Sequence, residues 1–459
     1  MKILPDLSRR ARHPLSWTRP GVIRGARTLA SAGLLCAVLP AQGPLQVIYG
    51  ISPTQYFGNA IVSFSDADGD GIEDFATAIP CDNQRGPLSG SVKIYTGMPA
   101  YERLNLLGSH AGDLFGSAIA RLPDLNCDGY DELLVGAPGA SQNGRSSGEA
   151  LVFSGRDARI LLRVPGAAPG DECGAAVCAL GDLNGDGIAE FAIGSPGARK
   201  FGRNSGSVSV YDGSNLRVLF NFFGDAFGER FGTSLVGSGD MDGDGLADLA
   251  VGAPCPLLDR PGYARVFSGA DASVLYTFGG QHTWELFGAS LAAAGDVDGD
   301  GRGDLLVGAP RARSGATAIA DAIDHACGAA SVFSGSSGQP LYTFAANQSE
   351  DLLGTSVALG PDLDGDGRAD LLVGAPQRLR PRSGYVRAYS TRDGRTLGTW
   401  IGAGPGDEFG SSCAVLHSSQ GAPLLAVGAP TTRNILPTDA TRGASVGAIV
   451  LTRLESSRP

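Results

Sequence analysis

The stretch FGSAIARLPDLNCDGYDELLVGAP, residues 115–138, contains three features that recur along the whole chain. It begins with Phe-Gly, passes through an acidic loop and ends with an apolar run closed by Gly-Ala-Pro. Self-similarity at a nearly fixed period is the signature of a repeat architecture. Phe-Gly or a close equivalent begins seven units, spaced by 58, 58, 58, 56, 66 and 56 residues, at Phe57, Phe115, Cys173, Phe231, Phe287, Leu353 and Phe409.

Each unit has room for four short runs with β-strand patterning, separated by Gly, Pro, Asp and Asn. The 69 Gly and 27 Pro of the chain agree with many short strands joined by tight turns. Seven such units predict an all-β fold, a seven-bladed β-propeller with four-stranded blades, because a closed ring removes long exposed sheet edges. A linear solenoid is the structural alternative.

The ends of the repeat region favour the ring. LQVIYG, residues 45–50, lies 12 residues before Phe57, just as LGTWIG, residues 397–402, lies 12 residues before Phe409. The repeat region therefore begins with a fourth strand that lacks the three before it. GAIVLTRL, residues 447–454, is a third strand without a fourth. We expect the N-terminal strand to complete the last blade, an arrangement that a solenoid would not need.

Six units carry the acidic pattern D-x-[DN]-x-D-G-x-x-[DE]. Side-chain oxygens at positions 1, 3 and 5 of a tightly turned loop converge on one point, the carbonyl of position 7 can face inward, and the carboxylate of position 9 closes the shell. An all-oxygen shell on a flexible loop favours Ca²⁺ over zinc, copper or Mg²⁺. Up to six Ca²⁺ ions are therefore predicted, with ligands from Asp66, Asp68, Asp70, Ile72, Asp74, Asp124, Asn126, Asp128, Tyr130, Glu132, Asp182, Asn184, Asp186, Ile188, Glu190, Asp240, Asp242, Asp244, Leu246, Asp248, Asp296, Asp298, Asp300, Arg302, Asp304, Asp362, Asp364, Asp366, Arg368 and Asp370.

These loops differ from an EF-hand, which needs a bidentate Glu at position 12 and a helix after it. Position 12 here is Thr, Val or Ile inside an apolar β-run. The loops are therefore predicted to join two strands of one blade. The seventh unit reads LHSSQGAPLLAVGAP at the same place, without acids, and is expected to bind no metal. The tripeptide Arg302-Gly303-Asp304, which looks like an adhesion motif, places Asp304 at position 9 of the fifth loop, so we interpret it as incidental.

Phe-Gly, the calcium loop and Gly-Ala-Pro together resemble the FG-GAP repeat family, the seven-bladed propeller found at the head of integrin α-subunits and in secreted bacterial proteins. The resemblance covers residues 45–454 and departs from the pattern at Cys173, Leu353, Ala78-Ile79-Pro80 and Ser195. It implies that the calcium loops share one face. It also implies that the loops after Gly-Ala-Pro and before Phe-Gly share the opposite face, where integrins bind ligands.

Residues 1–41 combine seven Lys and Arg, the apolar run LASAGLLCAVLP and Ala41, which together predict a signal peptide followed by the propeller over residues 42–459. No later segment has the pattern of a transmembrane helix. Removing these seven basic residues and one acid changes the formal charge from −11 to −17, which disfavours nucleic acid as a partner. We expect an exported protein, whether secreted, periplasmic or at the cell surface.

The face opposite the calcium loops is rich in Arg and in acids. The simplest interpretation is ion pairing between neighbouring loops. The alternative is a rim that binds an anionic ligand, either an acidic polysaccharide or the carboxylates of an extracellular protein. The candidate ligand-binding residues are Trp284, Arg311, Arg313, Arg378, Arg380 and Arg382.

Catalysis finds little support in the sequence, because the His residues lack metal-ligand spacing and no G-x-S-x-G elbow or Gly-rich phosphate loop stands out. We therefore expect a binding or adhesion module and no enzyme. The alternatives are a carbohydrate-active lyase or hydrolase on the same scaffold and a purely structural surface protein. Seven Cys follow the signal region, and Cys255 with Cys327 is the one disulfide that loop positions suggest.

Overall fold

A computed structural model describes residues 44–52, 54–256, 260–313, 327–346, 348–378, 382–419, 421–432 and 446–454. The predicted signal peptide lies outside the described residues. Within them the regular structure consists of strands, and none of it is a helix long and apolar enough to cross a membrane.

Every blade is a sheet of four antiparallel strands, and in blades 1 to 6 their spatial order follows the chain. Blade 1 contains β2 (Ile61–Phe64), β3 (Asp74–Ile79), β4 (Ser91–Tyr95) and β5 (Glu102–Leu107). Blade 2 contains β6 (Ala118–Leu122), β7 (Glu132–Ala137), β8 (Glu149–Ser154) and β9 (Ile160–Pro165). Blade 3 contains β10 (Ala176–Ala179), β11 (Phe191–Ser195), β12 (Ser207–Tyr211) and β13 (Val218–Phe223).

The next three blades repeat this arrangement. Blade 4 contains β14 (Ser234–Gly239), β15 (Asp248–Ala253), β16 (Tyr263–Phe267) and β17 (Val274–Gly279). Blade 5 contains β18 (Ser290–Gly295), β19 (Asp304–Ala309), β20 (Ala329–Phe333) and β21 (Pro340–Ala345). Blade 6 contains β22 (Ser356–Leu359), β23 (Leu371–Ala375), β24 (Tyr385–Tyr389) and β25 (Thr396–Ile401).

Blade 7 is assembled from both ends of the repeat region. It contains β26 (Ser412–Leu416), β27 (Leu424–Ala429), β28 (Ala448–Arg453) and β1 (Gln46–Tyr49). Strand β1 pairs antiparallel with β28, with Ile48 opposite Ile449. The inner strand of blade 7, β26, packs against β2 of blade 1. The predicted seven-bladed ring closed by the N-terminal strand is thus confirmed.

The motif glycines are explained by the contact between successive blades. A Cβ atom on Gly136, the Gly of Gly-Ala-Pro in blade 2, would lie 1.8 Å from the carbonyl oxygen of Gly174, the Gly after Cys173 in blade 3. The same contact closes the ring, because a Cβ on Gly428 of blade 7 would lie 2.0 Å from the carbonyl oxygen of Gly58 in blade 1. Only glycine permits the backbones to approach this closely.

The hydrophobic core is divided among the seven interfaces between neighbouring blades. The interface between blades 1 and 2 shows the pattern: Phe115, which begins unit 2, is buried and packs edge-on against Phe153. The second strand of a blade, such as β7, is buried along its whole length, whereas the outermost strand, such as β9, alternates between exposed and half-buried residues. The second strand is therefore held in the core along its length, and the acidic loop leads into its first residue.

Candidate calcium loops and the opposite face

The six acidic loops connect the first and second strands of blades 1 to 6 and share one hydrogen-bonding pattern. In each loop the second carboxylate oxygen of the first Asp accepts a hydrogen bond from the backbone N–H of position 6, at 2.8–2.9 Å. The backbone N–H of position 7 donates to the side chain of position 5 at 2.7–3.1 Å. These bonds fold the backbone so that the predicted ligand side chains face each other.

The turn needs two residues with positive φ, at positions 4 and 6. In the first loop these are Gly69 and Gly71, with φ of 78° and 86°. In the second loop Cys127 occupies position 4 with φ of 59°, a backbone conformation that glycine adopts at lower cost. The Cys127 side chain is exposed. The loop therefore keeps the shape of its siblings despite the substitution.

Position 9 is the most buried acid of each loop. Its six residues have no exposed surface, and they are Asp74, Glu132, Glu190, Asp248, Asp304 and Asp370. In loops 2 to 6 one carboxylate oxygen accepts the backbone N–H of position 2 at 2.5–2.7 Å. In blades 4 to 6 the other oxygen accepts a backbone N–H from the turn between the third and fourth strands. Position 9 thus joins the acidic loop to the rest of its blade.

Asp74 in the first loop is held less closely, although the backbone of Ala67 at position 2 lowers its pKa slightly. Among the described residues neither of its oxygens accepts a hydrogen bond, and the nearest cation is Arg103, whose Nε lies 3.6 Å from Oδ2. Burial raises the pKa of Asp74 to about 7, and the neighbouring carboxylates add to this shift. A buried carboxylate with one cation at this distance and several carboxylates nearby is costly unless a further cation neutralises it. This is the strongest sign in the structure that the loops fit a divalent cation.

Carboxylate oxygens from each of the first five loops belong to a group of three that lie within 4.8 Å of one another. The groups include Asp66 with Asp68 and Asp70, and Asp240 with Asp242 and Asp248. In blade 3 the group consists of Asp186, Glu190 and Asp212.

Asp212 was missed by the sequence interpretation because it lies outside the acidic loop, in the turn after β12. Blades 2, 4 and 5 have Ser154, Ser268 and Ser334 at the equivalent position. An acid where sibling units carry Ser is a signal that alignment of the units could have revealed. Asp212 is buried, and its carboxylate accepts hydrogen bonds from Ser214 and Asn215.

Two predicted position-7 residues, Arg302 and Arg368, also connect neighbouring loops through their side chains. Nη1 of Arg302 lies 3.5 Å from the carbonyl oxygen of Met241 in the fourth loop, and Arg368 donates in the same way to the carbonyl of Val297 in the fifth loop. The seventh turn, which has no acids, is packed onto the first loop: the backbone N–H of His417 donates to Glu73 at 2.9 Å.

On the opposite face, the predicted ion pairing is only partly right. In units 2 to 7 the acid two residues before Phe-Gly or its equivalent is buried; Asp113, for example, caps its own loop by accepting the N–H groups of Ser109 and His110. The acid one residue before Phe-Gly makes the expected pairs between blades. Glu172 lies 2.6 Å from Arg230, and Glu408 lies 2.9 Å from Arg378.

The candidate ligand-binding residues lie in loops of blades 5 and 6. Trp284 is 44% exposed with φ of 67°, and its loop touches the next one through a hydrogen bond from the N–H of Arg311 to the carbonyl of Glu285. Arg311 is exposed and Arg313 is half-buried. Arg382 donates to Gln348, whereas Arg380 lies outside the described residues. The loops of Trp284 and Arg311 therefore adjoin each other, and Arg378 is already engaged by Glu408.

The predicted pairing of Cys255 with Cys327 is wrong. Among the cysteines that the structure describes, both are buried thiols that are not joined in a disulfide. Burial raises the pKa of the Cys255 thiol to about 11, so it remains protonated at neutral pH and behaves as a small apolar side chain.

The fold and the loops define a class: a seven-bladed β-propeller with a repeated acidic loop at one end of each of six blades. The sequence profile of the FG-GAP repeat matches residues 115–153, 174–211, 231–254, 287–320 and 353–389. The chain is similar to integrin alpha-4 of Xenopus laevis, with 31% identity over 240 residues, or 48% of this chain and 22% of that protein. It is also similar to integrin alpha-5 of the same species, with 33% identity over 219 residues, or 43% and 19%.

A third relative, integrin alpha-V of Gallus gallus, is 32% identical over 173 residues, or 35% of this chain and 16% of that protein. The matched parts therefore span about a fifth of the length of these relatives. A crystal structure of BBS1N in complex with ARL6DN superimposes with a TM-score of 0.53 over 90% of this chain and 96% of that one, at 11% identity, which shows the fold alone. The protein therefore carries FG-GAP repeats in blades 2 to 6 of a seven-bladed propeller and is similar in sequence to integrin α-subunits.

Proposed function

We propose that this propeller is an exported, calcium-stabilised binding module that recognises an extracellular protein or an acidic polysaccharide on the face opposite its calcium loops. The observation that carries the proposal is the fully buried carboxylate of Asp74, whose nearest described cation is Arg103 at 3.6 Å, together with five further buried acids at the same position of their loops. Calcium supplies positive charge at a place where the fold holds several carboxylates away from water.

The residues that would hold the ions are the oxygens of positions 1, 3, 5, 7 and 9 in each loop. Position 1 is already oriented by backbone N–H groups, and position 9 is anchored to the blade. The loop is therefore preorganised, and ion binding would stabilise the folded protein over the unfolded chain. Calcium has a structural role in this proposal, and the ligand binds elsewhere.

The opposite face supports recognition because its loops expose an aromatic ring and several guanidinium groups. Trp284 and Arg311 lie in adjoining loops, and neither the Trp284 ring nor the Arg311 side chain is buried. An exposed tryptophan next to Arg is typical of an anchor in a binding surface. The relatives carry the name integrin, which agrees with a role in adhesion.

The experiment is a glycan and protein array probed with residues 42–459, in calcium and in chelator, followed by titration of calcium into the metal-free protein. We expect about six calcium ions per chain and at least one protein or acidic polysaccharide ligand. Trp284→Ala and Arg311→Ala should weaken that ligand at least tenfold. The matched control is Arg145→Ala, in the equivalent loop of blade 2. Absence of calcium binding would refute the metal part, and unchanged binding by both variants would refute the assigned face.

A further inference from the structure

The seam where the ring closes contains a cavity of about 470 Å³. It lies between the end of β1, the closing strand of blade 7, and strands β4 and β5 of blade 1. Its size is within the range of about 300–1,000 Å³ that small-molecule sites occupy. The cavity belongs neither to the calcium loops nor to the loops that carry Trp284 and Arg311.

One wall of the cavity contains an ion pair. Lys93 is only 5% exposed, and its Nζ lies 2.5 Å from Oε2 of Glu102. A buried lysine is rare and needs a charged partner. Asn105 lies opposite Lys93 in the sheet, is exposed and also lines the cavity.

The position of Lys93 carries Arg265 in blade 4 and Arg387 in blade 6. In blade 3 it is Ser209, opposite Asn221, and in blade 5 it is Ser331, opposite Thr343. The propeller strand therefore does not require a charge at this place. Blade 1 differs from blade 4 in the partner, because Lys93 pairs with Glu102 on the next strand of its own sheet whereas Arg265 pairs with Asp225 in the loop before blade 4.

The rim of the cavity, formed by the loop before Phe57 and the loop after β3, also differs from the equivalent loops of the other blades. The acid that caps the loop before Phe-Gly in the other units is replaced by Gln55, whose Nε2 donates to Asp82 at 2.9 Å. Asp82 also accepts hydrogen bonds from Gln84 and Ser91, both at 2.6 Å. Its charge is thus fully engaged within the protein, and the rim presents amide groups to a ligand.

Aromatic surface completes the cavity. Tyr95 is held in place by Phe75, which stacks on it at 5.4 Å between ring centroids, and by Phe57, whose ring lies edge-on at 6.3 Å. Tyr49, at the end of β1, contributes a second ring. Rigid tyrosines provide apolar contact area together with a polar hydroxyl.

We propose that the seam cavity binds a neutral pyranose, either as a free sugar or as a residue of a glycan. A sugar hydroxyl can donate to Glu102 and accept from Lys93 at once, so it can use the ion pair without breaking it. An anion would have to displace Glu102 from the buried Lys93, and a cation would have to displace Lys93 from Glu102, whose side chain is 40% exposed. The amides of Asn105 and the rim provide further donors and acceptors, and the tyrosines provide contact for the carbon face of the ring.

This inference rests on the proposed binding function, because it names a ligand class and a second place where recognition occurs. Saturation-transfer NMR and calorimetry on residues 42–459 would use D-glucose, D-galactose, D-mannose, L-fucose and N-acetyl-D-glucosamine, with D-glucuronate as the charged probe. We expect at least one neutral sugar to bind. Asn105→Ala should weaken it at least tenfold, and the blade 3 counterpart Asn221→Ala should not change it.

Glu102→Gln keeps the shape of the cavity and should also weaken the sugar, with circular dichroism and thermal melting used to verify that the variant is folded. Three results would overturn the proposal: no neutral sugar binds, glucuronate alone binds, or Asn105→Ala binds as well as the parent. A glycan array then distinguishes a free sugar from a sugar residue of a glycan. Binding on the array indicates that the site accepts a glycan residue, whereas a site for free sugar gives no signal.

The two proposals can fail separately. Cavity residues lie outside the calcium loops, so sugar binding without calcium binding would refute the proposed calcium role alone. Conversely, the protein could bind calcium and a protein or acidic polysaccharide but no neutral sugar. That result would refute the seam site alone.

Discussion

Nη2 of Arg395 lies 3.0 Å from Oδ2 of Asp364, the third position of the sixth acidic loop. Asp364 is almost fully buried, and among the described residues its other oxygen has no hydrogen-bond partner. Arg395 thus partly neutralises a carboxylate that the calcium hypothesis assigns to the metal. Its own side chain is 56% exposed, so solvent screens this interaction.

Arg395→Ala is therefore expected to raise the calcium affinity of the sixth loop about two- to fivefold, because an exposed competing cation is removed. Calorimetric titration of calcium should show one site becoming tighter. The control is Arg159→Ala, the residue at the equivalent turn position of blade 2. Weaker calcium binding in Arg395→Ala would show that the arginine orients Asp364 for the metal instead of competing with it.

The stability of the protein should depend on pH with opposite sign in chelator and in calcium. Burial raises the pKa of Asp74 and Glu132 to about 7 and the pKa of Asp248, Asp304 and Asp370 to about 6. In the unfolded chain these carboxyls titrate near their ordinary pKa of about 4. Because the folded-state pKa is the higher one, this contribution to metal-free stability is complete below about pH 4. It is lost as the pH rises through 6 to 7.

Calcium reverses the trend since it binds the deprotonated carboxylates. In chelator, the melting temperature should fall between about pH 5 and pH 7.5; with millimolar calcium it should rise over the same interval. Thermal melts monitored by circular dichroism at both conditions provide the measurement. Parallel curves in calcium and chelator would contradict the assignment of position 9 as a metal ligand.

The repeat allowed the fold to be predicted from the sequence, because Phe-Gly and Gly-Ala-Pro report contacts between backbones that only glycine tolerates, as between Gly136 and Gly174. The spacing of the acids likewise predicted which side chains converge. The sequence did not reveal contacts between units, such as Arg395 with Asp364, or the capping role of Asp113, because these depend on how loops are folded. The Cys255–Cys327 pairing failed for the same reason.

Asp212 is expected to strengthen the third calcium site. It lies outside the acidic loops, and one of its carboxylate oxygens lies within 4.8 Å of oxygens of Asp186 and Glu190. Asp212→Ser, which restores the residue of the sibling blades, should weaken one site about tenfold. The reciprocal Ser268→Asp should strengthen the fourth site. Calcium titration measures both effects. If Asp212→Ser binds calcium as tightly as the parent, the role of Asp212 is limited to its hydrogen bonds with Ser214 and Asn215.

The Arg302-Gly303-Asp304 tripeptide is predicted to have no role as an adhesion motif. Asp304 has no exposed surface; its two oxygens accept the N–H groups of Val297 at 2.7 Å and Gly335 at 2.8 Å. Asp304→Ala should lower the free energy of unfolding by about 1–3 kcal/mol, because buried donors lose their acceptor, and should remove one calcium site. Attachment of animal cells to the immobilised variant should equal that of the parent. If Asp304→Ala reduced cell attachment without lowering the free energy of unfolding, the tripeptide would have a role as an adhesion motif.

Closure of the ring should depend on strand β1. The pairing of β1 with β28 covers the outer edge of blade 7, and Ile48 packs against the core shared by blades 7 and 1. A chain that starts at residue 51 leaves β28 as an unpaired edge, which promotes association with a second copy. We expect its melting temperature to fall by about 5 °C or more and a dimer or aggregate to appear on size exclusion, relative to a chain that starts at residue 44. A monomer of unchanged stability would mean that β28 does not need the closing strand.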